Sequence, residues 1–246
     1  MRPVIKYNVG DSVVLNDVTT HVISEDYNPY QSAKPVLIAN LGQYCSYCEC
    51  GYYYARDLAV EHVQPKGLDQ YKPLHTKWTN FLLSCDTCNG SDNKGAKDVV
   101  LDEVHLPHRN NTFLSLTYLP GGVVTVNPKL TGESRAHAEN LWRLVGFDKT
   151  PKQARSGDTR WRKRLEDWNI AEEFLLKYNA GQVTKEVVLQ IAQCRGGWSI
   201  WFTVFKGVDE VRKALIDQFS GTAAECFDAA NHYEPILRNL GQADPV

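Results

Sequence analysis

The stretch that decides the fold runs from residue 45 to residue 89 and reads CSYCECGYYYARDLAVEHVQPKGLDQYKPLHTKWTNFLLSCDTCN. It holds two Cys-x2-Cys pairs, Cys45 with Cys48 and Cys85 with Cys88, and 36 residues separate the pairs. A Cys-x2-Cys turn places two sulfurs on one metal, and zinc takes four such ligands in a tetrahedron. The two pairs therefore predict a closed structural zinc site that joins two distant knuckles.

The remaining cysteines leave alternatives open. Cys50 could replace Cys48 as a ligand, although Cys-x4-Cys is the less usual knuckle. Four buried thiols without a metal are the simpler interpretation of the same pattern. Cys194 and Cys226 fall in a stretch with helical periodicity, and we expect both of them in the core.

Composition and charge are those of an ordinary globular chain. Of 246 residues, 43% are hydrophobic and 23% are charged, which suits one sizeable core plus a small zinc-held unit, or two small domains. A formal net charge of -2 is low for a protein that neutralises DNA phosphates unaided. Any basic surface must therefore be local, and affinity for DNA could depend on a second protein.

The sequence has no apolar run long enough to cross a bilayer, and its first residues, MRPVIKYNVGDSVV, lack the apolar region of a signal peptide. We therefore expect a cytoplasmic protein without a membrane partner. Because thiols stay reduced in that compartment, metal ligation and burial explain the seven cysteines better than disulfides do.

Hydrophobic periodicity predicts an α+β fold. A short helix over 30–42 leads into the first knuckle, apolar strands precede Glu61 and follow Asn80, and the second knuckle opens a short helix. Alternating apolar positions on both sides of a Pro-Gly-Gly turn predict a β-hairpin over 112–127. Later residues have helical spacing, with helices expected at 131–146, 158–178, 184–194, 198–219 and 221–231.

Three segments follow from this pattern. Residues 1–44 form a lead-in with a short helix, residues 45–110 hold the knuckles and what lies between them, and residues 111–246 form a hairpin and a mainly helical lobe. The lobe carries no residue to which we assign chemistry. It is rich in tryptophan, which serves cores first but is also a usual anchor of protein interfaces. We therefore predict that the lobe docks a larger partner.

Polar residues between the knuckles are the candidates for chemistry. Glu61 and His62 end a predicted strand, a loop with little periodicity follows over 63–79, and Asn80 opens the next strand. Loops of that length inside a compact domain are usually functional. A glutamate beside a half-buried histidine occurs on many protein surfaces and does not by itself indicate a catalytic site. The interpretation of this pair therefore depends on the surrounding sequence pattern.

The block from Cys45 to about Lys97 resembles the HNH (His-Asn-His, or ββα-metal) endonucleases. In that family an acid or histidine followed by histidine ends a first strand. A loop, an asparagine that opens a second strand, and a helix bearing a final histidine or asparagine follow. Many members carry this signature inside two Cys-x2-Cys pairs. The resemblance implies a ββα-metal core held by a four-cysteine zinc site.

The resemblance also implies roles for single residues. Glu61 and Asn89 match the two protein ligands of a catalytic metal, and His62 matches the general base. Asn80 matches the residue that holds the loop and positions the base. Glutamate in place of the first histidine and asparagine in place of the last are common in the family, and they favour Mg²⁺ or Mn²⁺.

The chemistry of phosphodiester hydrolysis suits these side chains. A neutral imidazole can take a proton from water near neutral pH. A divalent cation on one carboxylate and one amide oxygen keeps positions open for phosphate oxygens and water. Lys94 and Lys97 follow Asn89 closely and could contact phosphate, or they could be solvated surface residues.

Other histidines and cations receive less weight. His105 and His108 are spaced for a metal, but nothing around them repeats the pattern, so we expect ordinary polar roles there and at His75. A basic cluster with interleaved tryptophans could follow a nucleic-acid backbone, or it could be the solvated face of an amphipathic helix. Its members are Lys152, Arg155, Arg160, Arg162, Lys163 and Arg164, with Trp161 and Trp168.

Segments beyond the core resemble the C-terminal part of HNH proteins from bacterial anti-phage loci, including Septu-type and some retron-associated systems. They are residues 119–122, 126–128, 131–133 and 141–147. In those loci the nuclease is encoded beside an ABC-type ATPase. The resemblance implies a DNA endonuclease of phage defence that an ATPase partner controls. The alternatives are a non-catalytic zinc-stapled nucleic-acid-binding or adaptor module, and a stand-alone restriction-type nuclease.

Overall fold

The computed structural model of the chain describes residues 1–15, 18–149 and 157–238, together with residues 241, 244 and 246. Helices and strands are mixed along these ranges, so the predicted α+β class is confirmed. Throughout the described part of the chain, every helix is too short or too polar to cross a membrane.

The strands form antiparallel two-stranded pairs. They are β1 (Ser12–Leu15) with β2 (Thr19–Val22), β3 (Leu58–His62) with β4 (Phe81–Cys85), β5 (Leu116–Leu119) with β6 (Val123–Val126), and β7 (Phe227–Asp228) with β8 (Glu234–Pro235). The helices are α1 (Lys34–Leu41), α2 (Asp86–Asn89), α3 (Thr112–Ser115), α4 (Gly132–Leu144), α5 (Arg160–Asn179), α6 (Lys185–Arg195), α7 (Trp198–Val204) and α8 (Asp209–Gln218). Short 3-10 turns precede several of these elements, including Tyr30–Ala33 before α1 and Trp78–Asn80 before β4.

The β3–β4 pair lies at the centre of the region around the knuckles. Leu58 pairs with Cys85 at one end, and His62 pairs with Phe81 at the other. All five residues of β4 are buried, which explains why its sequence is a continuous apolar run instead of an alternation. Helix α1 packs against both strands. The predicted strands and the predicted first helix are therefore confirmed.

The predicted hairpin at 112–127 begins later than expected. Its first four residues form α3, because the side chain of Asn111 accepts a hydrogen bond from the Phe113 amide and caps a helical turn. The strands β5 and β6 follow with the predicted antiparallel pairing.

Two predicted helices in the last quarter of the chain are wrong. The expected helix over 198–219 is divided into α7 and α8, and Gly207 lies between them with a φ of +88°. The expected helix over 221–231 is replaced by 3-10 turns and β7. There the carbonyl of Cys226 accepts hydrogen bonds from the Asn111 side chain at 2.9 Å and from the Ile236 amide at 2.9 Å, which are not helical partners.

One hydrophobic core includes residues from all three predicted segments. In the first knuckle, the carboxylate of Glu49 accepts hydrogen bonds from the amide of Arg2 and from the amide and hydroxyl of Ser199, the latter two at 2.8 and 2.7 Å. Gly196 has a φ of +73°, and a Cβ there would lie 2.3 Å from the Glu49 carbonyl oxygen. The knuckle is therefore packed between the start of the chain and α7, and the division into three segments stays a prediction.

Four of the five tryptophans of the helical lobe serve this core, and the exception is the half-buried Trp161. Trp168, Trp198 and Trp201 are all buried, the last two almost completely. Their number therefore gives no argument for an interface, and the docking of a partner by the lobe stays a prediction. Cys226 is buried as expected, but Cys194 is exposed near the end of α6, so the expectation that Cys194 is a core residue is wrong.

Candidate functional site

The two Cys-x2-Cys pairs come together. The sulfurs of Cys45, Cys48, Cys85 and Cys88 all lie within 4.8 Å of one another and are buried, so they are close enough to hold a metal ion. Cys48 Sγ and Cys85 Sγ are 3.8 Å apart. Cys50 is also buried but lies outside this group of four, so the choice between Cys48 and Cys50 favours Cys48.

Backbone hydrogen bonds attach the first knuckle to β4. The amide of Ser46 donates to the Leu83 carbonyl at 2.8 Å, and the Ser46 hydroxyl accepts from the Leu83 amide at 3.3 Å. The turn is closed by the Glu49 amide, which donates to the Cys45 carbonyl at 2.9 Å. The second knuckle begins where β4 ends, and the sulfur of Cys85 accepts the Cys88 amide at the start of α2. Both pairs thus converge at one end of the β3–β4 pair.

Arg160 faces the cysteine cluster, which sequence analysis did not anticipate. Its Nη1 donates to Cys88 Sγ at 3.1 Å and to the Val145 carbonyl at 2.8 Å, and its Nη2 pairs with Asp158 at 2.7 Å. Only 7% of Arg160 is exposed. A guanidinium in this position stabilises negative charge on the sulfurs, and it is too deeply buried to follow a nucleic-acid backbone.

Other members of the predicted basic cluster are also engaged within the protein. Lys163 pairs with Asp167 at 2.8 Å and donates to the Arg195 carbonyl at 2.8 Å. Arg164 donates to the Gly122 carbonyl at 3.1 Å. These cations therefore neither follow a nucleic-acid backbone nor form the solvated helix face that was the alternative, because they are bonded within the fold.

Two further members of that basic cluster lie outside the described residues, namely Lys152 and Arg155. Arg162 is exposed and lies over the half-buried ring of Trp161, with 5.5 Å between the guanidinium carbon and the ring centroid. Trp168 is only 6% exposed, as the amphipathic-helix alternative requires.

A cleft of about 350 Å³ runs along β3 from Ala59 to the His62 end of the β3–β4 pair. Four residues that sequence analysis selected line this cleft, and they are Glu61, His62, Asn89 and Lys94. Tyr30 and Lys66 also line it, and sequence analysis did not select them. Lys97 is exposed and lines a different cleft, next to α4.

His62 is held in one orientation and in one protonation state. Its Nε2 lies 2.9 Å from the His75 carbonyl oxygen, which can only accept, so Nε2 carries the proton and Nδ1 keeps its lone pair. Burial lowers the pKa of His62 to about 4, the hydrogen bond to His75 opposes this change, and the nearby charge of Lys66 adds to it. The imidazole is therefore neutral at pH 7.

Aromatic rings enclose the His62 imidazole. Tyr30 meets it edge to face with 4.7 Å between centroids, and Phe81 does so at 5.2 Å. His75 stacks on it at 5.4 Å, with 16° between the planes. Tyr30 lies 32 residues before His62 and has no local signal in the sequence, whereas His75 lies in the loop over 63–79 and was given an ordinary polar role.

Asn80 lies behind the cleft and binds the loop that follows His62. Its Oδ1 accepts the Gln64 amide at 2.8 Å, and its Nδ2 donates to the Gln64 carbonyl at 2.9 Å. The Asn80 carbonyl accepts the Val63 amide at 2.9 Å. Three hydrogen bonds therefore hold the residues directly after His62.

Lys94 is buried, whereas sequence analysis offered either a phosphate contact or a solvated surface position for it. Its Nζ lies 2.7 Å from Glu61 Oε1 and donates to the His62 carbonyl at 2.7 Å. Both Lys94 and Glu61 are 1% exposed. Burial raises the pKa of Glu61, and the Lys94 charge opposes that change. A carboxylate at this depth requires such a partner, which is the physical reason for the burial of Lys94.

Lys66 is the exposed cation of the cleft. Its Nζ donates to the Tyr30 hydroxyl at 2.7 Å and lies 4.3 Å from the centroid of that ring. The cleft thus combines a neutral imidazole, one carboxylate, one amide and an accessible ammonium. No protein-family model matches the chain, and no curated protein matches it.

Proposed function

We propose that the chain is a metal-dependent endonuclease of the HNH type that hydrolyses phosphodiester bonds in DNA. One observation carries the proposal: Glu61, His62 and Asn89 line a single cleft while Asn80 binds the loop next to His62. This is the arrangement that the resemblance to HNH nucleases implies, and it arises on two strands followed by a short helix.

Zinc is the metal that we propose for the four cysteines. Four thiolates in a closed, buried cluster match its tetrahedral preference and leave no position for a substrate. The guanidinium of Arg160 beside Cys88 offsets part of the negative charge of such a site. In this proposal the zinc stabilises the fold and takes no part in catalysis.

The oxygen donors of the cleft fit a hard divalent cation, Mg²⁺ or Mn²⁺. Glu61 Oε1 faces Lys94, whereas Oε2 accepts no hydrogen bond from any residue that the structure describes. Asn89 is half-buried in the same cleft and offers an amide oxygen. A cation held by these two residues would act as a Lewis acid on the phosphate and stabilise the leaving 3′ oxygen.

His62 acts as the general base in the proposed reaction. Its Nδ1 takes a proton from the attacking water, while Nε2–H remains bonded to the His75 carbonyl. That carbonyl then stabilises the imidazolium that forms. Asn80 positions His62 through the loop, and Lys66 is the exposed ammonium that can meet a phosphate oxygen.

Plasmid cleavage tests this proposal. The protein should nick or cut supercoiled DNA with Mg²⁺ or Mn²⁺, and His62→Ala should lower the rate by about 10²–10⁴-fold. His232→Ala is the matched control, because His232 is an exposed histidine that pairs with Asp209 at 2.7 Å. Equal cleavage by His62→Ala and by the parent, with unchanged melting, would show that His62 is not the base.

A non-catalytic zinc-stapled adaptor or nucleic-acid-binding module is the second candidate. The Glu61–Lys94 pair favours it, because the ammonium neutralises the carboxylate without a divalent cation. This candidate expects DNA or protein binding that His62→Ala leaves unchanged, with no cleavage under any metal. The plasmid assay therefore separates the two candidates.

The resemblance suggests an ABC-type ATPase of phage defence as the partner that controls the nuclease. A net charge of -2 also gives the chain little electrostatic attraction to DNA on its own. Co-expression of the full chain with the protein encoded beside it should yield a complex on size-exclusion chromatography. Cleavage without any complex would favour a stand-alone restriction-type nuclease.

A further inference from the structure

A second group of ligand-type side chains lies away from both the cysteine cluster and the cleft. One atom from each of His105, His137 and Asp244 lies within 4.8 Å of the others. Asp244 Oδ2 is 2.7 Å from His105 Nε2 and 2.9 Å from His137 Nδ1. The imidazole planes of His105 and His137 are nearly perpendicular, at 84°, so the two rings pack edge to face and do not stack.

The side chain of His105 and the backbones of His137 and Asp244 are each held by a hydrogen bond. His105 is 1% exposed, and its other ring nitrogen, Nδ1, lies 2.8 Å from the hydroxyl of the buried Ser115. His137 is carried by α4, and its carbonyl accepts the His105 amide at 3.3 Å. The carbonyl of Asp244 accepts a hydrogen bond from Asn110 at 2.8 Å. The contact from Ser115 to the second ring nitrogen of His105 is of the kind that orients histidine ligands in metal sites.

The group opens into a cleft of about 240 Å³ with an acidic lining. Asp102, Glu103 and Glu133 line this cleft in addition to Asp244. The cation that lines it, Arg109, pairs with Asp102 at 2.9 Å. Four carboxylates and one arginine line the cleft beside the two imidazoles, and a cleft dominated by one sign of charge attracts the opposite ion.

We propose that His105, His137 and Asp244 bind a divalent transition-metal ion of the zinc class, separately from the four cysteines. Two imidazoles and one carboxylate suit zinc and its neighbours in the first transition row. Three protein ligands leave a fourth position for water on the side of the acidic cleft. Sequence analysis expected ordinary polar roles for His105 and His108, and of these two residues only His105 belongs to the group.

The ion would join three parts of the chain that are distant in sequence. His105 follows the zinc-held core, His137 lies in α4, and Asp244 lies 107 residues beyond His137. An ion that binds only the folded chain stabilises it by mass action. The expected consequence is a melting temperature that rises with free metal concentration after the cysteine site is saturated.

Cobalt titration of the full chain tests the proposal, because Co²⁺ replaces zinc and absorbs light according to its ligands. Thiolate ligands add a charge-transfer band, whereas an imidazole–carboxylate site adds only ligand-field bands, so the two sites are read separately. In excess Mg²⁺, which occupies the cation site proposed at Glu61 and Asn89, we expect about two cobalt ions per chain, with the second lacking the thiolate band. His137→Ala and Asp244→Asn should each abolish the second uptake and preserve the first.

The histidine control is again His232→Ala, which removes an exposed histidine–aspartate pair and should keep both uptakes. Ser115→Ala should weaken the second site by about 10–100-fold, since it removes only the contact that orients His105. Uptake that stops after the thiolate site in the parent, or a second uptake that survives both His137→Ala and Asp244→Asn, would overturn the proposal. Neither outcome bears on DNA cleavage, which the cleft residues determine.

Discussion

The two ends of the β3–β4 pair differ in how they are closed. At the end where Leu58 meets Cys85, four buried sulfurs converge on one another. At the end where His62 meets Phe81, an imidazole and a carboxylate line a cleft of about 350 Å³. The same two strands thus carry a closed cluster of soft ligands and an open cleft with hard ones.

Because of this difference, we expect the residues of the closed end to contribute to folding stability and those of the open end to the proposed chemistry. A closed four-sulfur cluster offers no position to a substrate, so its residues can contribute only to folding. The open end lines a cleft with an imidazole and a carboxylate, and a buried ion pair holds that carboxylate. Substitutions at the closed end should therefore change folding, and substitutions that line the open end should change activity more.

The largest loss of folding stability is expected from substitutions in the cysteine cluster at the closed end of the β3–β4 pair. Structural zinc contributes roughly 10–16 kcal/mol of apparent binding energy in small zinc-folded units, which rivals the whole stability of a typical domain. The double variant Cys85→Ser, Cys88→Ser should therefore lose the proposed zinc and fail to fold, as metal analysis and circular dichroism would detect. Cys194→Ser is the control, because Cys194 is exposed. A soluble double variant with parental melting would contradict the role of the knuckles.

The next largest loss of folding stability is expected when Lys94 is replaced. Lys94→Met leaves the buried Glu61 carboxylate unpaired, and breaking a buried pair in this way costs about 3–5 kcal/mol. Urea denaturation measures the loss, and addition of Glu61→Gln should recover part of it. Lys97→Met, at an exposed lysine, should stay within about 0.5 kcal/mol of the parent. Similar losses in the two lysine variants would mean that the ion pair is unimportant.

Asn80→Ala should have a smaller effect, localised at the loop. It leaves the Gln64 amide and carbonyl without their partners, at a cost of about 1–3 kcal/mol. Hydrogen exchange at the Gln64 amide should accelerate, and DNA cleavage should fall because His62 is no longer positioned. Asn140→Ala removes a single exposed hydrogen bond and serves as the control. Unchanged exchange at Gln64 would show that Asn80 does not hold the loop.

The smallest predicted effect concerns protonation of His62. Its NMR titration midpoint should lie near 4, against 6.5 for an exposed imidazole, because burial disfavours the charged form. Since the folded pKa is the lower one, the stability linked to His62 is complete above about 6.5 and is lost as the pH falls towards 4. Tyr30→Ala exposes the ring and should raise the midpoint towards 6.5. A midpoint already near 6.5 in the parent would contradict this account of the cleft.

Much of the candidate site was predictable because its parts are close in sequence. The four cysteines, Glu61, His62 and Asn80 all lie on or beside two adjacent antiparallel strands, so their spacing almost determines their positions. Apolar runs and turn residues similarly located β3, β4 and α1. The errors occurred where a distant partner decides the conformation, as at 221–231, whose backbone binds the side chain of Asn111.

By itself, the sequence determined the cysteine quartet, the strand that ends in Glu61-His62 and the α+β class, because short-range spacing and hydrophobic alternation encode them. Only the tertiary structure decided that Lys94 pairs with Glu61 and that Arg160 faces Cys88. It also decided that His105 meets His137 and Asp244 instead of His108. A charged or polar side chain takes its partner from whatever packing brings near it, and burial makes that partner necessary. Such partners are distant in sequence, so the local sequence pattern does not predict them.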